Sequence, residues 1–190
     1  PDFVAKAEAG KFTEIRRCVA CNQGCIERLS FEMKSVTCTF NPACGREYLG
    51  ASVPVAQSKR LWVIGAGPAG LSAALAAAGR GYEVEIFEKE ASPGGQLRSA
   101  SRPPHKEIYW DWAAWCLRQL EKRDVKIRCG EEWTAESLRE GKPDAVILAA
   151  GADPATPDIP GLASPHVRDA RELLLEGVSA EGPTVILGGG

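Results

Sequence analysis

The chain has 190 residues, room for one ordinary domain or for one domain with an appendage. An apolar fraction of 44% beside 25% charged residues excludes a disordered chain. A formal net charge of −2 with no basic run offers nothing to nucleic acid or to an anionic membrane surface. No apolar run is long enough to cross a bilayer and no signal peptide is visible, so a cytoplasmic location is expected.

In chain order, Phe3 to Ala9 closed by Gly10 predicts a short helix with a glycine stop. It lies in a cysteine-rich segment, residues 1–50, that has no strong periodicity. A linker is expected at residues 51–59, where Ser, Pro and Gln replace patterned sequence. Leu61 to Ile64 then predicts a strand, Pro68 to Ala78 a helix, and Tyr82 to Phe87 a second strand. After a glycine-bearing loop, Ser92 to Gln96, a helix is expected over Lys106 to Lys122. Val125 to Ile127 and Asp144 to Ala149 predict the third and fourth strands, Arg168 to Leu175 a helix, and Pro183 to Leu187 a last strand. Strands alternating with helices imply an α/β fold, a Rossmann-like parallel sheet with helices on its faces. A dinucleotide-binding domain is placed at residues 60–182. Pro1 in place of Met and the closing Gly188, Gly189 and Gly190 suggest a piece of a longer protein.

Gly65-Ala66-Gly67-Pro68-Ala69-Gly70 is G-x-G-x-x-G, directly after an apolar strand and opening a helix. Gly65 permits the tight turn, Gly67 lets backbone approach a pyrophosphate, and Gly70 allows close packing of helix on strand. The pyrophosphate would sit on the N–H groups at the helix start, around Pro68 and Ala69. Glu88, with Lys89 beside it, ends the second strand where a ribose-binding acid is expected; its charge repels a 2′-phosphate and suits FAD, NAD or ADP better than NADP. Two segments favour FAD. Pro93-Gly94-Gly95-Gln96 lets backbone run past a ligand. Ala145 to Pro154 resembles the A-T-G-x-x-P segment of two-dinucleotide-domain flavoproteins, with Ala150 in place of Thr ahead of Gly151.

Five of the seven cysteines, Cys18, Cys21, Cys25, Cys38 and Cys44, fall in the first fifty residues. Nothing marks the chain as secreted, so tight clustering points to metal ligation rather than disulfides. Cys18-x2-Cys21-x3-Cys25-x12-Cys38 supplies three thiolates from one winding segment and a fourth from a distance, which suits a 4Fe–4S cubane. Structural zinc usually takes two separated pairs, so zinc is the second choice. Cys44 is either an alternative fourth ligand or a free thiol nearby. Gly24 is expected to ease the bend, and Arg16 and Arg17 to offset negative charge. Cys116 and Cys129 read as small buried hydrophobes.

Arg17 to Cys25, then Cys38 and Asn41-Pro42, resemble the iron–sulfur flavoproteins related to 2,4-dienoyl-CoA reductase and trimethylamine dehydrogenase, themselves related to the old yellow enzymes. The resemblance implies Cys18, Cys21, Cys25 and Cys38 as cluster ligands. It also implies Gly65, Gly67, Gly70 and Glu88 as dinucleotide residues, with Gly95 and Gln96 near the flavin portion. It further implies a TIM barrel holding FMN before this chain, an FAD domain that is incomplete here, and a truncated NAD(P)H-binding domain starting at residues 183–190. In the amine dehydrogenase branch the FAD-type site holds ADP.

The expected function is the electron-transfer segment of an NAD(P)H-dependent flavin oxidoreductase, whose partners are the missing barrel and nicotinamide domain. The segment alone is not expected to catalyse the parent reaction, and no residue is assigned a catalytic role. Alternatives are an amine-dehydrogenase-like parent with structural ADP, a zinc-stabilised nucleotide-binding fragment, and a relative of the glutamate synthase small subunit. The single cysteine motif, lacking a Cys-Pro ending, argues against the last. Tyr109, Trp110, Trp112 and Trp115 have helical spacing and read as core. His105 and His166 read as polar residues of loops.

Overall fold

A computed structural model describes residues 3–50, 52–155, 157–177, 179 and 181–188. Pro1, Ala51, Gly189 and Gly190, on which parts of the expected organisation rest, lie outside the described residues. Four parallel strands, β1 (Arg60–Ile64), β2 (Glu83–Glu88), β3 (Lys126–Cys129) and β4 (Ala145–Leu148), form one sheet in the order β3-β2-β1-β4. Strand β4 lies at the sheet's edge, paired on one side to β1.

Helices connect the strands as a parallel sheet requires. Helix α1 (Phe3–Glu8) and the short α2 (Arg28–Ser30) belong to the cysteine-bearing segment. After β1 come α3 (Pro68–Gly79), α4 (Leu97–Ala100) and α5 (Ile108–Glu121), then α6 (Ala135–Gly141) between β3 and β4, and finally α7 (Ala170–Glu176). Side chains alternate across the sheet. Leu61 and Val63 of β1 and Val84 and Ile86 of β2 enter the core with Leu71 and Ala74 of α3 and Ala113, Cys116 and Leu120 of α5. On the opposite face Trp62 meets Phe87, ring centroids 4.7 Å apart, and lies so close to Gly141 that α6 tolerates no side chain there.

The cysteine-bearing segment has little regular structure: a π-helical turn at Gln23–Glu27 running into α2, and single 3-10 turns at Phe12–Glu14 and Glu47–Leu49. It is organised by α5 instead. Trp115 Nε1 donates to the Glu14 carbonyl (3.0 Å), Gln119 Nε2 donates to the Glu14 carboxylate (3.0 Å), and Lys122 pairs with that same carboxylate. Hydrogen bonds from Lys122 and Gln119 hold the Glu14 carboxyl below its ordinary range.

One expectation needs correction, and one element is additional. Residues 183–187 form no strand: Val185 and Ile186 are exposed, and no described strand pairs with them. A strand exists only through its ladder, so apolar composition alone did not suffice. Helix α6 was not expected from the sequence; Thr134 and Ser137 cap it reciprocally, with Ser standing where the usual pattern has Glu or Gln.

Cys116 is fully buried within α5, as expected. Burial pushes its thiol from the ordinary 9.0 up to about 12, opposed by Arg16. The unfolded chain therefore loses this proton first, and the associated stability is complete below pH 9.0 and lost as pH rises towards 12. Denaturant titrations are expected to fall by up to about 1.4 kcal/mol per pH unit across that window. Cys116→Ala should be less stable at neutral pH yet lack this component; equal slopes for both proteins would refute the assignment.

Candidate functional site

Three loops meet at the carboxyl end of the sheet: residues 65–70 after β1, 92–97 after β2 and 149–153 after β4. Strand order reverses between β1 and β4, and the crevice at such a switch point is where open parallel sheets bind ligands. The loops are drawn together by missing side chains. Gly65 has φ +102°, and a Cβ there would run into the Ala149 carbonyl. A Cβ on Gly70 would enter the shell of the Gly65 carbonyl oxygen, which sets how closely α3 packs on β1. A Cβ on Gly95 would lie 2.9 Å from the Gly67 Cα.

Hydrogen bonds complete this cradle. Gly94 N–H donates to the Ala66 carbonyl (2.9 Å), and Gln96 Nε2 donates to the Ala152 carbonyl (3.1 Å), tying the second loop to the first and the third. Pro68 occupies the first turn of α3 after Gly67, where a missing N–H costs nothing. The first-turn N–H groups of a helix have no intrahelical acceptor and face the crevice end of α3. Ala69, Lys89, Gln96, Ala150 and Gly151 are exposed around it.

Glu88 is buried, at 6% exposure, and its two carboxylate oxygens are already in use. Oε2 accepts the Ala66 N–H (2.7 Å) and Oε1 accepts the Glu90 N–H (2.9 Å). Each oxygen retains a second lone pair. Glu88 thus fastens the fingerprint loop to β2 before any ligand enters, a role that the sequence pattern did not reveal. Cys129, its register partner on β3, is half-buried rather than buried, and burial with the nearby Glu88 raises its thiol. Glu88→Gln turns one acceptor into a donor facing an N–H group. A stability loss of about 1–3 kcal/mol is expected in nucleotide-free protein, and an unchanged denaturation midpoint without nucleotide would overturn this fastening role.

The cysteines lie on two segments in direct contact. Thr37 N–H and Oγ1 both donate to the Gly24 carbonyl (2.7 and 3.0 Å), and a Cβ on Gly24 would stand 2.9 Å from the Cys38 Cα. Gly24 therefore permits close approach and does not act as a left-handed hinge; Ala20 and Asn22 take the positive φ values. Cys21 packs on the core, with its Sγ 3.9 Å from Thr39 Oγ1. Burial first, and then the charges of Cys38, Glu47 and Cys25, raise the Cys44 thiol. Among the described residues no three Cys, His, Asp or Glu side chains close on a common metal position. Thiol donors on touching segments fit a thiophilic metal or cluster by their chemistry. Arg16 and Arg17 are turned to other work: Arg16 bonds Asn41 and lies over the Trp115 ring at 5.1 Å, and Arg17 pairs with Asp111 at 3.0 Å.

The expectation that the aromatic run on α5 is core holds for Trp112 and needs correction for Trp110, which is 37% exposed, while Tyr109 and Trp115 are half-buried. Trp112 is core at 4% exposure, yet its Nε1 donates to the Phe40 carbonyl (3.3 Å), and its ring meets Phe40 edge-on at 5.0 Å. Aromatic residues at helical spacing mark a buried face, and sequence alone does not say that a separate segment is what buries it.

Residues 63–127 match the family described as an NAD(P)-binding Rossmann-like domain. The chain is 39% identical over 190 residues to the bilirubin reductase of Mediterraneibacter gnavus (strain CC55_001C) and 39% identical over 196 residues to the NADH oxidase of Thermoanaerobacter brockii, all of it aligning in both cases. It spans 30% of the length of each. The solved structure of a 2-naphthoyl-CoA reductase in complex with 2-naphthoyl-CoA superposes with a TM-score of 0.85 at 32% identity, over 92% of this chain and 27% of that one. No helix among the described residues is long and apolar enough to cross a membrane. With its glycine cradle, buried acid and thiol-bearing segment, the chain belongs to the NAD(P)H-dependent flavin oxidoreductase family of 2,4-dienoyl-CoA reductase and trimethylamine dehydrogenase, spanning about 30% of its relatives' length.

Proposed function

We propose that this chain is the electron-relay portion of an NAD(P)H-dependent flavin oxidoreductase, holding a 4Fe–4S cluster next to FAD. One observation carries the reading. Val19, Cys21 and Phe40 of the cysteine-bearing segment pack in the same core as Val63, Ala66 and Leu97, which support the glycine cradle. A thiol site and a dinucleotide site built on one core are held at a fixed separation, as single-electron exchange requires.

In this reading Cys18, Cys21, Cys25 and Cys38 hold the cluster, residues 1–50 form its segment, and residues 60–182 form the FAD-type domain. Gly65, Gly67, Pro68, Ala69 and Gly70 receive the pyrophosphate, α3 directing its first-turn N–H groups and its positive dipole end at the anion. Glu88 accepts from the ribose hydroxyls with its remaining lone pairs, and Lys89 flanks it. Gly95, Gln96, Ala150 and Gly151 line the flavin portion, and the tie from Gln96 to Ala152 keeps those loops from spreading. When bound, the cluster exchanges single electrons and the flavin converts between one- and two-electron steps. FMN and NAD(P)H belong to those parts of the relatives' length that this chain does not span.

The test is anaerobic visible spectroscopy with iron, sulfide and zinc analysis on the full-length protein. About four irons per chain and a visible band bleached by dithionite are expected, together with flavin absorbance. Cys38→Ser should lose the iron and Cys44→Ser should keep it. Zinc without iron would overturn the relay, and ADP in place of flavin would restrict it to the cluster.

A further inference from the structure

The N-terminal half of α5 touches both candidate sites, through neighbouring residues on opposite flanks. On one flank Phe40, two residues beyond Cys38, lies against Trp112 (5.0 Å) and Tyr109 (6.1 Å), and its carbonyl accepts the Trp112 indole N–H. On the other, Trp110 abuts the turn of the cradle: a Cβ on Gly94 would stand 2.7 Å from Trp110 Cζ3. Gly94 has φ +116°, and its N–H holds the Ala66 carbonyl of the fingerprint loop. Trp110 and Trp112 are separated by about 3 Å along the helix axis and point to different sides of it. A displacement of this turn of α5 therefore moves the Cys38–Phe40 loop and the Gly94–Gly95 turn together.

We infer that α5 is a positioning element linking the two sites: Phe40 sets its place from the thiol side, and Trp110 transmits that place to the Gly94–Gly95 turn. Ordering the thiol site then orders the cradle, and by reciprocity a dinucleotide in the cradle favours the ordered thiol segment. Phe40 and Trp110 act through other residues and are positioning residues. What it links rests on the reading of the two sites above; the link itself is a property of the fold.

Hydrogen–deuterium exchange on the full-length protein tests it without any bound cofactor. Phe40→Ala is expected to speed exchange about tenfold at the amides of residues 94–96, in the turn that Trp110 abuts. Phe40→Leu, which retains most of the volume but loses the edge contact, should give a smaller rise. Ile26→Ala, an exposed change in the same segment, should give none at 94–96. Faster exchange confined to residues 38–44, with 94–96 unchanged in Phe40→Ala, would overturn the link. In protein that binds FAD or ADP, Phe40→Ala should weaken that affinity about fivefold, and unaltered affinity counts against the link. Failure of the unsubstituted protein to hold iron or nucleotide would strike the proposed function and leave the exchange result to decide the link.

Discussion

The approach of α3 to the turn after β1 is the constraint on which the rest of the site depends. Because Gly70 has no side chain, its backbone lies against the Gly65 carbonyl; because Gly65 has none, that turn also reaches the end of β4 at Ala149. A methyl group at either position would push the helix or the fourth strand away. Two different elements thus contact the same turn, at the place where the sheet reverses its strand order. Glu88 adds the fastening from below by accepting the Ala66 N–H. Backbone groups thus shape the cradle, leaving side chains to trim its rim.

Helix α5 does for the cysteine-bearing segment what these glycines do for the cradle. That segment has only short turns of its own, and a chain with so few internal ladders cannot bury enough surface to define a shape alone. Its shape comes from hydrogen bonds to Glu14 and Phe40, from the Arg17–Asp111 pair and from Val19 and Cys21 seated in the core. The exposed ion pair contributes little by itself. The buried aromatic contacts carry the larger share.

How much of this was legible in the sequence depended on whether a feature is local. The strand–glycine–helix order at residues 60–79, the acid at Glu88 and the parallel α/β class are local or periodic signals, and the structure has them where they were expected. The second task of Glu88 was not legible, because accepting the Ala66 N–H joins residues far apart in sequence. Neither was the role of Phe40, which carries no pattern and acquires meaning only beside Trp112. Gly24 suits a bend by its sequence position and serves a close approach in the structure, two uses of glycine that sequence cannot tell apart. At residues 183–187 composition spoke for a strand, and the described residues supply no partner for one.

The position of β4 has a consequence for handling this polypeptide. One side of the strand is bonded to β1, and among the described residues no strand pairs with the other side, beside a Leu148 that is 71% exposed. Native sheets usually blunt such a margin with charge, proline or a covering element. Ala145-Val146-Ile147-Leu148 carries neither charge nor proline. Among the described residues no strand pairs with that side of β4, so a further segment of a longer chain, or a neighbouring molecule, would find backbone groups there ready for a fifth strand.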